Sequence, residues 1–177
     1  MMLIPGQYIG VVTFPGVVVH ELAHQLFCRW CGVAVYEVKY FQADNPLGYV
    51  IHEPPKKPLH QLLIGTGPFI INSLIAFVIA FPAALPVALF NSGNLFDYIQ
   101  LYFAVSIGMH AFPSTTDAST MWNGIWHGDN TPLWLKIVLL PVMGLILLGA
   151  IGSVFWLDLV YGILLAIGLP LLIAGLF

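Results

Sequence analysis

Residues 59 to 90 read LHQLLIGTGPFIINSLIAFVIAFPAALPVALF. The stretch contains no Lys, Arg, Asp or Glu, and an uncharged apolar run longer than about 18 residues can cross a bilayer as a helix. The rest of the chain agrees with it. Of its 177 residues 59% are hydrophobic and 7% charged, with a mean hydropathy of +0.92, whereas an average soluble domain is about 25% charged. The sequence therefore predicts an all-α integral membrane protein, a single domain over residues 1–177 embedded in the lipid bilayer. Any active site must lie within or beside that bilayer.

Working outward from this run, further apolar segments at about 6–30, 96–113, 133–153 and 155–177 bring the expected transmembrane helices to about five. Pro82 and Pro86 each remove a backbone donor, which predicts a kink or an early end to the second span. The start, MMLIPGQYIG, has no basic residue before its apolar run. It therefore lacks the charged region of a cleavable signal, and the first span is expected to persist.

Residues 32–58, between the first two spans, differ in character. VAVYEVKYF and LGYVIHEPP are rich in β-branched and aromatic residues and flank QADNPLG, which predicts a small β-hairpin. In its first strand Tyr36, Val38 and Tyr40 share one face, while Glu37 and Lys39 share the other.

Net charge is −3 and the five basic residues form no stripe, so nucleic-acid binding has no support. If the chain crosses at every expected span, Arg29, Lys39, Lys56, Lys57 and Lys136 fall on one side of the membrane. The positive-inside rule makes that side cytoplasmic, giving a multi-pass protein for which the cell membrane is the default location. Cys28 and Cys31 form one C-x-x-C, too few thiols for a four-cysteine zinc site, and are read as structural.

The chemistry is concentrated in GVVVHELAHQLFCRW, residues 16–30. His20 and His24 are four apart, so on a helix both imidazoles can reach one ion, and Glu21 points to the adjacent side. Two neutral nitrogens with a carboxylate beside them suit a Zn²⁺ ion and a general base acting on water. Titratable groups grouped in an apolar helix mark function, since an ion compensates their desolvation.

A catalytic zinc takes a third protein ligand and leaves one position open. Depth sorts the candidates. His20 and His24 lie roughly 9 to 15 Å before the cytoplasmic end of span one, and span three ends on the same side with GMHAFPSTTDAS. Asp117 is the first choice and Pro113 lets the chain turn back toward the ion, with a helix cap or solvated loop acid as its bland role. His110 is either the third ligand, a donor that orients Asp117, or a simple interhelical hydrogen bond. Asp97 and Asp158 are expected on the outer side.

Three local matches, in order along the chain, resemble the site-2 protease family of intramembrane zinc metalloproteases. They are HELAH at 20–24, GTGPFIIN at 65–72 and HAFPSTTDA at 110–118. The resemblance implies one Zn²⁺ per chain held by His20, His24 and Asp117, with Glu21 as catalytic base. It also implies that Asn72 lies near the site, where it could donate to the oxyanion or to substrate backbone. Asn72 stands one residue later than the family's pattern, and Ala118 replaces the usual glycine after the aspartate. The implied activity is hydrolysis of peptide bonds in or near transmembrane segments of membrane proteins, with a strand edge at 35–41 or 47–53 holding the unwound substrate. The resemblance would make this a divergent minimal member, with no PDZ or CBS domain expected. A membrane protein with a closed structural zinc site is the alternative, and a zinc or proton transporter ranks below it because the last two spans carry almost no ionisable residues.

Overall fold

The computed structural model describes residues 6–128 and 131–176. The first five residues of MMLIPGQYIG and the Asp129–Asn130 end of the NGIWHGDN loop lie outside them. The fold is mostly helical: α1 (Gly6–Val12), α2 (Phe14–Trp30), α3 (Pro58–Ala88), α4 (Leu95–Met109), α5 (Thr115–Trp126), α6 (Leu133–Gly152), α7 (Leu157–Ile163) and α8 (Leu169–Ala174). A short 3-10 turn joins α6 to α7, and a π-helical turn at Leu164–Gly168 joins α7 to α8. Three helical stretches, Pro58–Ala88, Leu133–Phe155 and Leu157–Ala174, are long and apolar enough to cross a membrane, and α4 is a shorter apolar helix.

The continuous first span expected over 6–30 breaks at Thr13. Pro15 lies in the first turn of α2, where its missing N–H is tolerated but an unbroken helix is not favoured. In an apolar setting the freed backbone groups need partners, and α4 supplies them. The Tyr102 hydroxyl donates to the Val12 carbonyl (2.6 Å), while Ser106 Oγ donates to the Thr13 carbonyl (2.9 Å) and accepts from the Gly16 N–H (3.1 Å). A Cβ on Gly16 would stand 2.0 Å from the Ser106 carbonyl oxygen, so this crossing requires glycine.

α3 does not end early at Pro82 or Pro86, but runs to Ala88. Each proline removes one ladder bond, and the methyls of Ala80, Ala83 and Ala84 pack in one buried cluster with Leu101, Ala104 and Ala166, which supports the helix through the loss. Asn72 reaches the Gly16 carbonyl near the start of α2 while the Ile64 carbonyl meets His24 further on, so α2 and α3 run antiparallel. Similarly, Lys136 Nζ donates to the Trp126 carbonyl at one end of the α5–α6 pair (2.6 Å). Gly149, near the end of α6, lies against the Phe112 ring just before α5 begins. These two helices are also antiparallel, joined by the cluster Ala118, Met121, Ile125, Leu139, Met143, Ile146 and Ala150.

β1 (Val35–Lys39) and β2 (Tyr49–His52) form a two-stranded antiparallel sheet with Val35 opposite His52, Glu37 opposite Ile51, Val38 opposite Val50 and Lys39 opposite Tyr49. The register is irregular between Val35 and Glu37. Tyr36 is the extra residue there, so the strict alternation expected of Tyr36, Val38 and Tyr40 does not hold. The Gln42 N–H donates to the Leu47 carbonyl (2.7 Å) and closes the connecting loop.

Candidate functional site

The polar residues of α2 meet those of the α4–α5 connection. His20 and His24 share one face of α2, as their four-residue spacing dictates, and Glu21 is buried beside them on the adjacent side. His20 Nε2 and His24 Nε2 are 3.1 Å apart, and each is 3.6 Å from Asp117 Oδ2. Among the described residues, these three form the group able to hold a metal ion, one ligand atom from each and all within 4.8 Å of one another.

Backbone carbonyls fix the direction of both rings. His20 Nδ1 is 2.7 Å from the His110 carbonyl oxygen, and His24 Nδ1 is 2.9 Å from that of Ile64. A carbonyl only accepts, so in each neutral ring Nδ1 carries the proton and Nε2 presents a lone pair. Two lone pairs and a carboxylate oxygen thus converge on one point without a donor between them. That arrangement calls for a cation at the centre, a metal ion or a proton on one ring.

Asp117 arrives on a helix that begins at the site. Ser114 caps α5, accepting from the Asp117 N–H (3.1 Å), while Asp117 Oδ2 accepts from the Ser114 N–H (3.1 Å) and hydroxyl (2.6 Å). This capping box uses the same oxygen that faces the histidines, so the cap role and the ligand role coincide. Burial acts to raise the Asp117 carboxyl, but a protonated His24 or His20 ring beside it outweighs that effect and holds it well below the usual carboxylate range.

His110 reaches the site through its backbone, not its ring. The Thr13 hydroxyl donates to the Ile9 carbonyl (2.8 Å), so His110 Nε2, 2.8 Å from that hydroxyl, must be the donor. The ring is thereby bonded to Thr13, and among the described residues it is absent from the cluster of candidate ligands.

Asn72 is fully buried, with Nδ2 near the carbonyl oxygens of Gly16 (3.3 Å), Ile107 (3.1 Å) and His110 (3.1 Å). Its amide hydrogens are spent on the chain's own backbone rather than offered to a substrate. Its Oδ1 is buried without a hydrogen-bond partner among the described residues. Through the His110 carbonyl, which His20 also uses, Asn72 steadies the histidine from behind.

A cavity of about 1140 Å³ opens over this group. Its walls include His20, Glu21, His24, Asp117, the loop and strand from Asn45 to Val50, and the end of α6. Asp158, expected on the outer side, lines the same cavity, because α6 returns to the level of Asp117 before α7 begins. Asp97 instead closes the capping box of α4 at its opposite end, accepting from the Asn94 N–H (2.8 Å). Ser114 carries a sequence signal of its own, since S-x-x-D is a helix-start signature, whereas no local pattern distinguishes Gly48 from a turn glycine.

Comparison of the chain with protein-family models, curated proteins and solved structures returned no match.

Proposed function

We propose that this protein is a zinc-dependent intramembrane endopeptidase, similar to the site-2 proteases, which hydrolyses peptide bonds in or near transmembrane segments of membrane-protein substrates. The observation that carries the reading is the convergence of His20 Nε2, His24 Nε2 and Asp117 Oδ2 at 3.1, 3.6 and 3.6 Å. Tetrahedral zinc bonds of about 2.0–2.1 Å would separate neighbouring ligand atoms by about 3.3 Å, so the donor set fits the ion in number, type and spacing. The open cavity supports a catalytic rather than a closed structural site, which would need a fourth protein ligand. His110, the natural candidate for that ligand, is engaged with Thr13.

Held by these three residues, zinc would supply Lewis acidity, easing proton loss from water and polarising a scissile carbonyl. Glu21 lines the cavity beside them and makes no hydrogen bond among the described residues. Its carboxylate is free to take a proton from the attacking water and return it to the leaving amine. The carbonyls of His110 and Ile64 hold the two imidazoles in the ligating tautomer throughout.

The membrane reading rests on the three long apolar stretches, with α4 as a shorter apolar helix beside them. The five basic residues set the sheet and the active site toward the cytoplasmic side, in the cell membrane. The test is hydrolysis of a single-span peptide co-reconstituted with the protein in vesicles. Cleavage by wild type, lowered about 10²- to 10⁴-fold in Glu21→Gln and abolished by a chelator, is expected. Cleavage that survives both treatments would sink the reading.

A further inference from the structure

The side chain of Glu21 lies directly on the backbone of residue 48. A Cβ there would stand 2.7 Å from Glu21 Cγ, 3.1 Å from Glu21 Oε1 and 3.1 Å from the Lys39 carbonyl oxygen. Position 48 is thus confined between β1 on one side and the carboxylate on the other, and only glycine leaves room. No polar partner among the described residues aims Glu21, so the surface it rests on sets its direction.

That surface is braced at both ends. On the sheet side, Tyr49 is paired with Lys39. Along the loop, the Gln42 N–H donates to the Leu47 carbonyl (2.7 Å), and Gln42 Nε2 donates to the Pro46 carbonyl (2.8 Å). On the α1 side, Gln7 Nε2 donates to the Ala43 carbonyl (2.6 Å), and Leu47 Cδ1 fills the space beside Gly10, 2.0 Å from where a Cβ would stand. The turn is therefore clasped to α1, and its last residue is held against the carboxylate.

Resting on the protease reading above, we propose that Gly48 is a positioning residue for the catalytic base: the loop from Gln42 to Gly48, clasped to α1 through Leu47, forms the wall that points the Glu21 carboxylate at the water it deprotonates. The sheet then acts on the chemical step itself. A misplacement of about 1 Å can cost about 10²-fold in rate, and a methyl group 2.7 Å from Glu21 Cγ forces a displacement of that order.

Two measurements on the full-length protein in detergent test this. The first needs no activity: Cys28→Ala and Cys31→Ser remove the two native thiols, and Glu21→Cys with Gly48→Cys is oxidised under mild conditions. A Cβ at position 48 stands 2.7 Å from Glu21 Cγ, the place a cysteine sulfur would take, so an intramolecular crosslink is expected. The second compares zinc content, kcat and KM of wild type, Gly48→Ala and Leu47→Ala on a fluorogenic single-span peptide. For Gly48→Ala the expected result is unchanged zinc and KM with kcat lowered about 10- to 100-fold; Leu47→Ala, which loosens the clasp without adding a clash, gives a smaller drop in kcat. Should Gly48→Ala fail to fold, the crosslink and Leu47→Ala decide the matter. No crosslink, or kcat within twofold of an active wild type in both variants, overturns the proposal while leaving the protease reading intact. A wild type with neither zinc nor hydrolysis overturns that reading, and the role of Gly48 with it.

Discussion

From Gln61 to Asn72 the buried residues of α3 include Gln61, Thr66 and Asn72 as well as glycines, whereas from Ala76 to Ala84 all of them are alanines. The first half is joined to its neighbours by directed bonds: Gln61 to the Thr120 carbonyl, the Ile64 carbonyl to His24, Asn72 to carbonyls of α2 and α4. Its second half approaches α4 and the π-helical turn through methyl groups in a cluster of small residues. Lipid is as apolar as leucine, so close dispersion packing is what the alanine half has to offer. The polar half gains defined geometry, at the risk that a lost partner leaves an orphaned group in an apolar environment. Precision is concentrated accordingly: directed bonds are found where the side chains of His20, His24 and Asp117 meet, and methyl packing where helices need only touch.

The contrast can be broken most severely at Asn72. Asn72→Asp replaces an amide that donates to backbone carbonyls with a carboxylate that cannot, and an uncompensated buried charge costs about 3–5 kcal/mol. Denaturation in detergent should show a loss of that size together with loss of metal, because the His110 carbonyl shared with His20 is disturbed. In the alanine half, Ala84→Leu adds three carbons to a fully buried site and should cost about 1–3 kcal/mol by overpacking. Metal content should not change, and a loss of metal there would show that the two halves are not independent. The smallest effect is expected at Ser114. Ser114→Ala removes the cap of α5, worth about 1 kcal/mol, and one of the hydrogen bonds that orient Asp117. Metal affinity measured by chelator competition should weaken about tenfold.

Much of this contrast can be read in the sequence, though unevenly. Long charge-free runs announce the apolar helices because their signal is compositional and local. The i, i+4 spacing of His20 and His24 translates directly into two ring nitrogens 3.1 Å apart. What the sequence does not disclose depends on contacts between segments. The break at Thr13 is stable because Tyr102 and Ser106, some ninety residues later, accept or donate at the freed backbone groups. The carbonyls of His110 and Ile64 that set the histidine tautomers carry no side-chain signature at all. Counting spans puts Asp158 on the outer side, because a count carries no information on α6 returning to the level of Asp117. Tyr36 disrupts a strand alternation that its own local sequence supports.

The central claim is that His20, His24 and Asp117 hold one metal ion in a site open to water, and metal analysis of purified protein tests it most directly. Wild type, Asp117→Ala, His110→Ala and Glu21→Gln should be measured side by side. The expected result is one zinc per chain in wild type, lost in Asp117→Ala and retained in His110→Ala and Glu21→Gln. No zinc in wild type, or zinc that survives Asp117→Ala but is lost in His110→Ala, would contradict it.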